Sequence, residues 1–395
     1  MKTRLFFGIA LFGLTVGAVT YYPHLGARTI AVEPPPFSHV TASPKVDVVF
    51  VLDTTGSMSG LIQTAKDKIW SIATTMASAQ QAPEIRIGLV AYRDRGDAYV
   101  TQVVDLSDDL DSVYATLMDF QADGGGDTPE SVNHALYDAV HRMSWRQDEQ
   151  AYQVIFLVGD APPHMDYDEI RYPEIIASAR EKGIIVNTIQ CGDMPTTVEP
   201  WTRIAALSQG SFFQVEQAGG AVAFTTPYDE AIADLSAKLD DTRLYYGTEE
   251  QKAKMHAKIA ATDKLHEGAS VASRARRGAF NASASGRANL LGENELIAAV
   301  TSGTLELDGL EKDALPEPLK PMSPAEQQAF ITQMAEQRAD LERQIRDLSK
   351  DRDSYLEKKV EEAGGLRSSL DQKLYEAVSE QAADAGLEYR DGPRY

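Results

Sequence analysis

Short continuous runs of hydrophobic residues recur through residues 45–240, and amphipathic segments separate them. Four such runs lie at 46–52, 85–92, 152–158 and 184–190. Because these runs are continuous rather than alternating, they are typical of parallel strands that are buried on both faces. The segments between them repeat apolar residues at helical spacing. This alternation predicts an α/β fold with a doubly wound, mostly parallel sheet that carries helices on both faces.

Weaker patterns complete the predicted domain. Residues 99–106 alternate between apolar and polar side chains, which indicates an antiparallel edge strand. Residues 108–120 are predicted to be helical, with Ser107 as the candidate cap. A glycine-rich loop then leads into another helix, for which Thr128 is the predicted cap and Pro129 the first helical residue.

The pattern changes beyond the predicted α/β domain of residues 45–240. Residues 241–323 combine helical and irregular stretches of unknown role, and they include a basic patch at Arg274, Arg276 and Arg277. Residues 324–395 predict a helical hairpin or a weak coiled coil. Together these two segments predict a mainly α-helical C-terminal region.

A long helix is predicted from about residue 325 to residue 362, with a hydrophobic residue at every seventh position. This heptad series consists of Met334, Leu341, Leu348 and Tyr355. The companion heptad series consists of Ile331, Arg338, Ile345 and Arg352, so half of that seam is charged. A charged seam predicts weak pairing, and a homodimer through the C-terminal helices is one expectation.

The amino terminus has the features of a targeting segment. Residues 1–24 are predicted to be a signal peptide or an N-terminal membrane anchor, because Lys2 and Arg4 precede an apolar run. Residues 25–44 form a proline-rich linker. We therefore expect an exported protein, periplasmic or extracytoplasmic, that residues 5–22 could anchor to the inner membrane.

Charge and cysteine content narrow the possible functions. The net charge of the 395-residue chain is −21, and residues 45–240 carry −17, from 13 basic and 30 acidic residues. This acidity argues against nucleic acid as a partner, because the chain has no large excess of basic residues that could neutralise many phosphate groups. Cys191 is the only cysteine, so neither an intrachain disulfide nor a thiolate metal cluster can form. We expect Cys191 to be buried.

Oxygen-bearing side chains follow two of the hydrophobic runs. Asp53, Thr55 and Ser57 come after the first run, and Asp160 follows the run at 152–158. The carboxyl ends of central strands meet at the switch point of a doubly wound sheet. We therefore expect these side chains to converge, together with Thr128.

Carboxylates and hydroxyls are hard oxygen ligands, so the predicted cofactor is Mg²⁺ or Mn²⁺. Asp127 is expected to orient waters or neighbouring hydroxyls around the cation. An exposed cation with an open position would accept a carboxylate from a partner. The alternative for Asp53, Thr55 and Ser57 alone is an ordinary cap on the following helix.

This arrangement resembles the metal-ion-dependent adhesion site of the von Willebrand factor A family, over about residues 45–240, and in particular its bacterial members. The matching residues are Asp53, Thr55, Ser57, Thr128 and Asp160, with Thr55 in the place of the family's usual serine. The resemblance implies a protein-interaction module that presents a cation to an acidic group on an unknown protein partner. It also implies that ligand binding shifts the domain's last helix, around residues 228–240.

The sequence contains no nucleophile elbow and no Walker-type phosphate loop, so we predict that the protein is not an enzyme. One alternative is a metal-dependent hydrolase with Asp94, Asp127 or His164 as general base. Another is a structural coiled-coil protein that uses the α/β domain as a cap. His164, Asp166 and Asp168 are expected to lie on a solvated loop.

Overall fold

The computed structural model describes residues 43–60, 62–126, 128–148, 150–215, 225–362 and 370–389. Within these ranges the chain forms one six-stranded sheet and twelve α-helices. The strands are β1 (Lys45–Asp53), β2 (Glu84–Tyr92), β3 (Thr101–Ser107), β4 (Tyr152–Gly159), β5 (Ile184–Cys191) and β6 (Phe212–Val215).

The strand order is β3-β2-β1-β4-β5-β6, with β1 in the interior of the sheet. β1 pairs in parallel with both β2 and β4, and β5 and β6 continue the parallel sheet. β3 pairs antiparallel with β2 at the edge, as the alternating pattern predicts. The predicted fold class is therefore confirmed.

Helices cover both faces of the sheet, which explains why the strands are continuously hydrophobic. One face packs against α1 (Ile62–Ala77) and α2 (Leu110–Asp119). The opposite face packs against α3 (Val132–His141), α4 (Tyr172–Glu181) and α5 (Pro195–Leu207). Cys191 lies in the core of the first face and is buried, as predicted.

Two helices begin later than the sequence predicts. The cap of α2 is Asp109 rather than Ser107, because the Asp109 side chain accepts the backbone N–H of Ser112. Helix α3 follows Ser131 rather than Thr128. The reason is that Glu130 is extended and forms a parallel bridge with Pro163, which keeps residues 128–130 out of the helix.

Seven further helices follow the sheet. They are α6 (Asp229–Asp240), α7 (Glu249–Gly268), α8 (Val271–Asn281), α9 (Arg287–Leu291), α10 (Leu296–Thr301), α11 (Pro324–Glu362) and α12 (Leu370–Ala382). The chain from Ser43 onward is one compact unit. Within it, α6 packs its Ile232 and Leu239 against α8, α9 and α11 rather than into the two sheet clusters. The apolar face of α12 instead joins the core of the first sheet face.

The charged seam of α11 is buried inside the chain. Arg338 donates to both carboxylate oxygens of Glu295, at 2.8 and 3.0 Å, and to the carbonyl of Thr242. Arg352 donates its Nε proton to Asp229 at 2.8 Å. The intervening Ile345 is fully buried. The charges in the seam thus bind acidic partners in the same chain.

Residues 1–42 lie outside the described residues, and the targeting segment and most of the linker predicted there belong to them. Among the residues that are described, none of the helices combines the length and the apolar character that a membrane crossing requires.

Candidate metal site at the end of strand β1

Asp53, Thr55 and Ser57 lie in a tight turn between β1 and α1. β1 ends at Asp53, and a short 3₁₀ turn, Gly56–Gly60, leads towards α1. Asp53 Oδ1 accepts the backbone N–H of Thr55 at 2.9 Å and the Thr55 hydroxyl at 2.6 Å. The hydroxyl oxygens of Thr55 and Ser57 are 3.1 Å apart. All three side chains therefore point to one place.

Strand order brings Asp160 to this turn from more than a hundred residues away. β1 and β4 are neighbours, with Leu52 opposite Val158, so Asp160 follows β4 beside the end of β1. The Ser57 hydroxyl donates to Asp160 Oδ1 at 3.0 Å. The predicted convergence of Asp53, Thr55, Ser57 and Asp160 is thus present in the structure.

Gly159 and Gly125 let the backbone approach this cluster closely. A Cβ atom on Gly159 would collide with the Tyr92 hydroxyl and would lie 3.0 Å from Asp53 Oδ2. Gly125 has a φ of +80°, and a Cβ there would lie 3.4 Å from the Thr55 side chain. The loop that holds Gly125 is fixed to the turn, because Gly56 N–H donates to the carbonyl of Gly124.

Thr128 lies apart from the hydrogen-bonded cluster. Asp127 lies outside the described residues, so its expected role stays a prediction. Thr128 is exposed, and among the described residues it joins none of the hydrogen bonds that connect Asp53, Thr55, Ser57 and Asp160. It lies three residues beyond Gly125, on the loop that covers Thr55.

The cluster is strongly acidic. Burial, with the nearby Asp160 carboxylate, raises the pKa of Asp53 to about 7. Burial also raises the pKa of Asp160. Glu130 is a buried acid that the sequence reasoning missed, and burial and the neighbouring carboxylates raise its pKa to about 9. Glu130 directly follows Thr128 and Pro129, and this position on the loop was the one feature of the sequence that could have indicated that Glu130 lies near the site.

Two of these acids have a buried oxygen that lacks a hydrogen-bond partner in the described part of the protein. These oxygens are Asp53 Oδ2 and Glu130 Oε2. A buried oxygen without a partner is costly unless a donor or a cation satisfies it. Together with the two hydroxyls, the site offers hard oxygen ligands only, and this donor set fits Mg²⁺ or Mn²⁺.

The described residues contain no group of three or more His, Cys, Asp and Glu side chains arranged to hold a metal. The candidate ligand set of Asp53, Asp160 and hydroxyl groups is of a different kind, with only two carboxylates.

The loop after Asp160 differs from the prediction at His164. His164 is buried rather than solvated, with its ring stacked on Tyr167 at a centroid separation of 3.9 Å. Its Nδ1 lies 2.8 Å from Asp166 and its Nε2 lies 3.4 Å from Asp94. The Tyr167 ring covers the His164 ring, and this contact explains why His164 is buried although it lies on a loop. Asp166 and Asp168 are exposed, as expected.

Asp94 is also buried. Its carboxylate accepts hydrogen bonds from the hydroxyls of Ser131 and Tyr167, at 2.8 and 2.7 Å. These contacts tie the loop after β2 to the start of α3 and to the loop after β4. Asp94 and His164, two candidate bases of the hydrolase alternative, therefore form one packed cluster beside the site.

Comparison with known proteins agrees with the α/β domain that the structure contains. Residues 47–227 match the profile of the family described as von Willebrand factor A domain. This part of the chain is therefore similar to von Willebrand factor A domains, and the similarity supports a protein-interaction module in general.

The von Willebrand factor A domain-containing protein 7 of Rattus norvegicus is 30% identical over 204 residues, which are 51% of this chain and 21% of the relative. The alpha-protein kinase vwkA of Dictyostelium discoideum is 28% identical over 129 residues, 32% of this chain and 20% of the relative. The chain thus spans about a fifth of the length of these curated relatives.

Among solved structures, the SpRpn10 VWA domain is similar, with 15% identity and a TM-score of 0.34. The match covers 44% of this chain and 89% of that one.

Proposed function

We propose that this protein binds a partner protein through a divalent cation, Mg²⁺ or Mn²⁺, held at the end of β1. Asp53, Thr55, Ser57, Thr128 and Asp160 would hold the cation, and Asp127 would orient waters beside it. When bound, the cation would offer an open position to an acidic group of the partner.

The observation that carries this proposal is the buried Asp53. Its Oδ1 organises the turn by accepting from Thr55, whereas its Oδ2 is buried without a hydrogen-bond partner among the described residues. Burial and the neighbouring Asp160 carboxylate disfavour its charged form and raise its pKa. A cation would satisfy Oδ2 and would stabilise the ionised form of Asp53.

Different residues of the chain would have different roles in binding the cation. Thr55 and Ser57 are held in the turn by their hydrogen bonds to Asp53 and Asp160, so both hydroxyl oxygens are already directed to one place. Gly125 and Gly159 leave room for the approach of the surrounding loops. Little rearrangement would be needed to bind the cation.

We propose a binding role without a catalytic step. Asp94 and His164 would be the bases of a hydrolase, yet both are engaged with Tyr167 and with each other.

We also propose export, with the protein facing the periplasm or another extracytoplasmic space, because of the basic and apolar residues of the first 22 positions. Dimerisation through α11 would have to use its exposed side, because the Arg338 face contacts the same chain.

The direct test is co-purification of the full chain with partners from an envelope extract, in Mg²⁺ and again in EDTA. Asp160→Ala removes one candidate ligand, and Asp168→Ala is the matched control because Asp168 is an exposed acid on the same loop. We expect a partner that wild type and Asp168→Ala retain in Mg²⁺ only and that Asp160→Ala loses. Equal retention in all samples would contradict the proposal and would move the interaction to the helical region.

A further inference from the structure

A cavity lies where three helices meet, and none of its lining residues belongs to the turn at Asp53. It has a volume of about 220 Å³ and is lined by α1, α8 and α11. One water occupies about 30 Å³ of liquid, so this space exceeds the volume of a single bound water several-fold. Its apolar lining residues are Ala77, Ala279 and Phe280.

Hydroxyl groups and cations provide most of the polar lining. The hydroxyl residues are Ser71, Thr74, Ser78, Ser283 and Ser349. The charged residues are Arg276, Arg346, Lys350, Arg352 and Asp353. Four of the lining residues are cations and one is a carboxylate, and three of the cations pair with acids outside the lining, Arg352 with Asp229, Arg346 with Glu342 and Lys350 with Asp347.

The two buried arginines are held inside the protein. Arg352 donates to Asp229, and Arg276, from the predicted basic patch, also has partners within the protein. Because both are buried beside the cavity, their charges are little screened by solvent.

The two cations at the mouth are paired only weakly. Arg346 lies 3.6 Å from Glu342 and Lys350 lies 3.8 Å from Asp347, and both cations are at least 48% exposed. Arg346 also donates to the carbonyl of Ala282 at 3.2 Å through one of its terminal nitrogens. Exposed pairs on one helix contribute little. Ser349 between them has a buried Oγ that forms no hydrogen bond within the described part of the chain. These three groups can therefore donate to an added ligand.

We propose that this cavity binds a small anion that carries an oxyanion group, phosphate or carboxylate. Arg346 and Lys350 would contact the oxyanion, since charge-assisted donors are the strong ones and the planar guanidinium matches such oxygens. Ser349 would donate its hydroxyl proton. Arg276 and Arg352, which are buried beside the cavity, would add electrostatic attraction. A ligand there would contact both the α/β domain, through α1, and the long helix α11.

Isothermal titration calorimetry on the full chain tests this proposal, with pyrophosphate and citrate as separate probes. The buffer contains no divalent cation, so that neither probe acts by removing metal, and potassium chloride of equal ionic strength is the reference. The test variant is Arg346→Gln with Lys350→Gln. The matched control is Arg343→Gln with Lys359→Gln, two exposed cations of α11 that pair with Asp340 and Glu362 and do not line the cavity.

We expect at least one probe to bind wild type and the control with equal affinity, and the test variant to bind about tenfold or more weakly. Whichever probe binds better identifies the oxyanion as phosphate or carboxylate. Binding that is equal in the test variant, or heats no larger than those from chloride, would overturn the proposal. The thermal midpoint of each variant without ligand shows whether it is folded.

Discussion

Arg277 of α8 links the α/β domain to the helices that follow it. Its guanidinium donates to both oxygens of Asp111 on α2, at 2.7 and 2.6 Å, and to Asp240 at the end of α6. All three side chains are buried. The sequence showed Arg277 only as part of a basic patch, because spacing along the chain does not indicate that two distant aspartates surround one arginine.

This network predicts a dependence of stability on pH. Burial alone would raise the pKa of Asp111, but Arg277 outweighs it and lowers the pKa to about 2. A folded-state pKa below the unfolded value contributes stability above about pH 4, and this contribution is lost as the pH falls towards 2. We expect Asp111→Asn to lower the free energy of unfolding by about 3 kcal/mol at pH 7, and the penalty to shrink towards pH 2.

Urea unfolding followed by circular dichroism at several pH values measures this effect. Asp108→Asn is the control, because Asp108 is exposed and lies three residues away. A penalty that stays constant across the pH range would contradict the assigned role of Asp111.

Other single residues show where sequence reasoning succeeds and where it fails. Asp53 and Asp160 could be placed together because the strand order of a doubly wound sheet is restricted, and the structure brings both to Ser57. Glu130 and His164 could not be recognised as buried, since polar loop residues carry no periodic signal. Their burial depends on tertiary packing against Tyr167 and the Asp53 cluster.

At the scale of elements, strands were predicted better than the docking of helices. A continuous apolar run indicates burial on both faces, and each of the four runs is a strand. The apolar stripe of an amphipathic helix does not specify the surface that it covers. Helix α6 therefore packs away from the sheet, whereas α12, more than 140 residues later, covers it.

The contacts of α12 predict its contribution to stability. Leu374 is 4% exposed within the core of the first sheet face, and Gln381 exchanges hydrogen bonds with Asn187 of β5. We expect Leu374→Ala to lower the free energy of unfolding by about 2–5 kcal/mol, measured by urea unfolding with tryptophan fluorescence. The signal comes from the α/β domain, because its tryptophans are Trp70, Trp145 and Trp201.

The control for this prediction is Leu207→Ala, because Leu207 is 38% exposed and its loss should cost little. If Leu374→Ala leaves the fluorescence transition unchanged, α12 does not stabilise the sheet.

At the scale of the whole molecule, the acidic site and the helical region belong to one compact unit. Buried ion pairs at Asp111 and Asp229 join residues of the first 240 positions to the helical region. The motion that the family resemblance implies for the last helix of the domain would therefore have to act on α8 and α11, which pack against α6. The proposed interaction with a partner requires first that a cation binds near Asp53.

Electron paramagnetic resonance titration of Mn²⁺ into the full chain tests that claim most directly. Ser57→Ala and Asp160→Asn are the test variants, and Asp168→Asn is the control. We predict one Mn²⁺ bound to wild type and to the control, and affinity reduced about tenfold or more in the test variants. Affinity should also rise through pH 7, because Asp53, with its pKa of about 7, must lose its proton to bind. Equal binding to all four proteins, or no binding to wild type, would contradict the account.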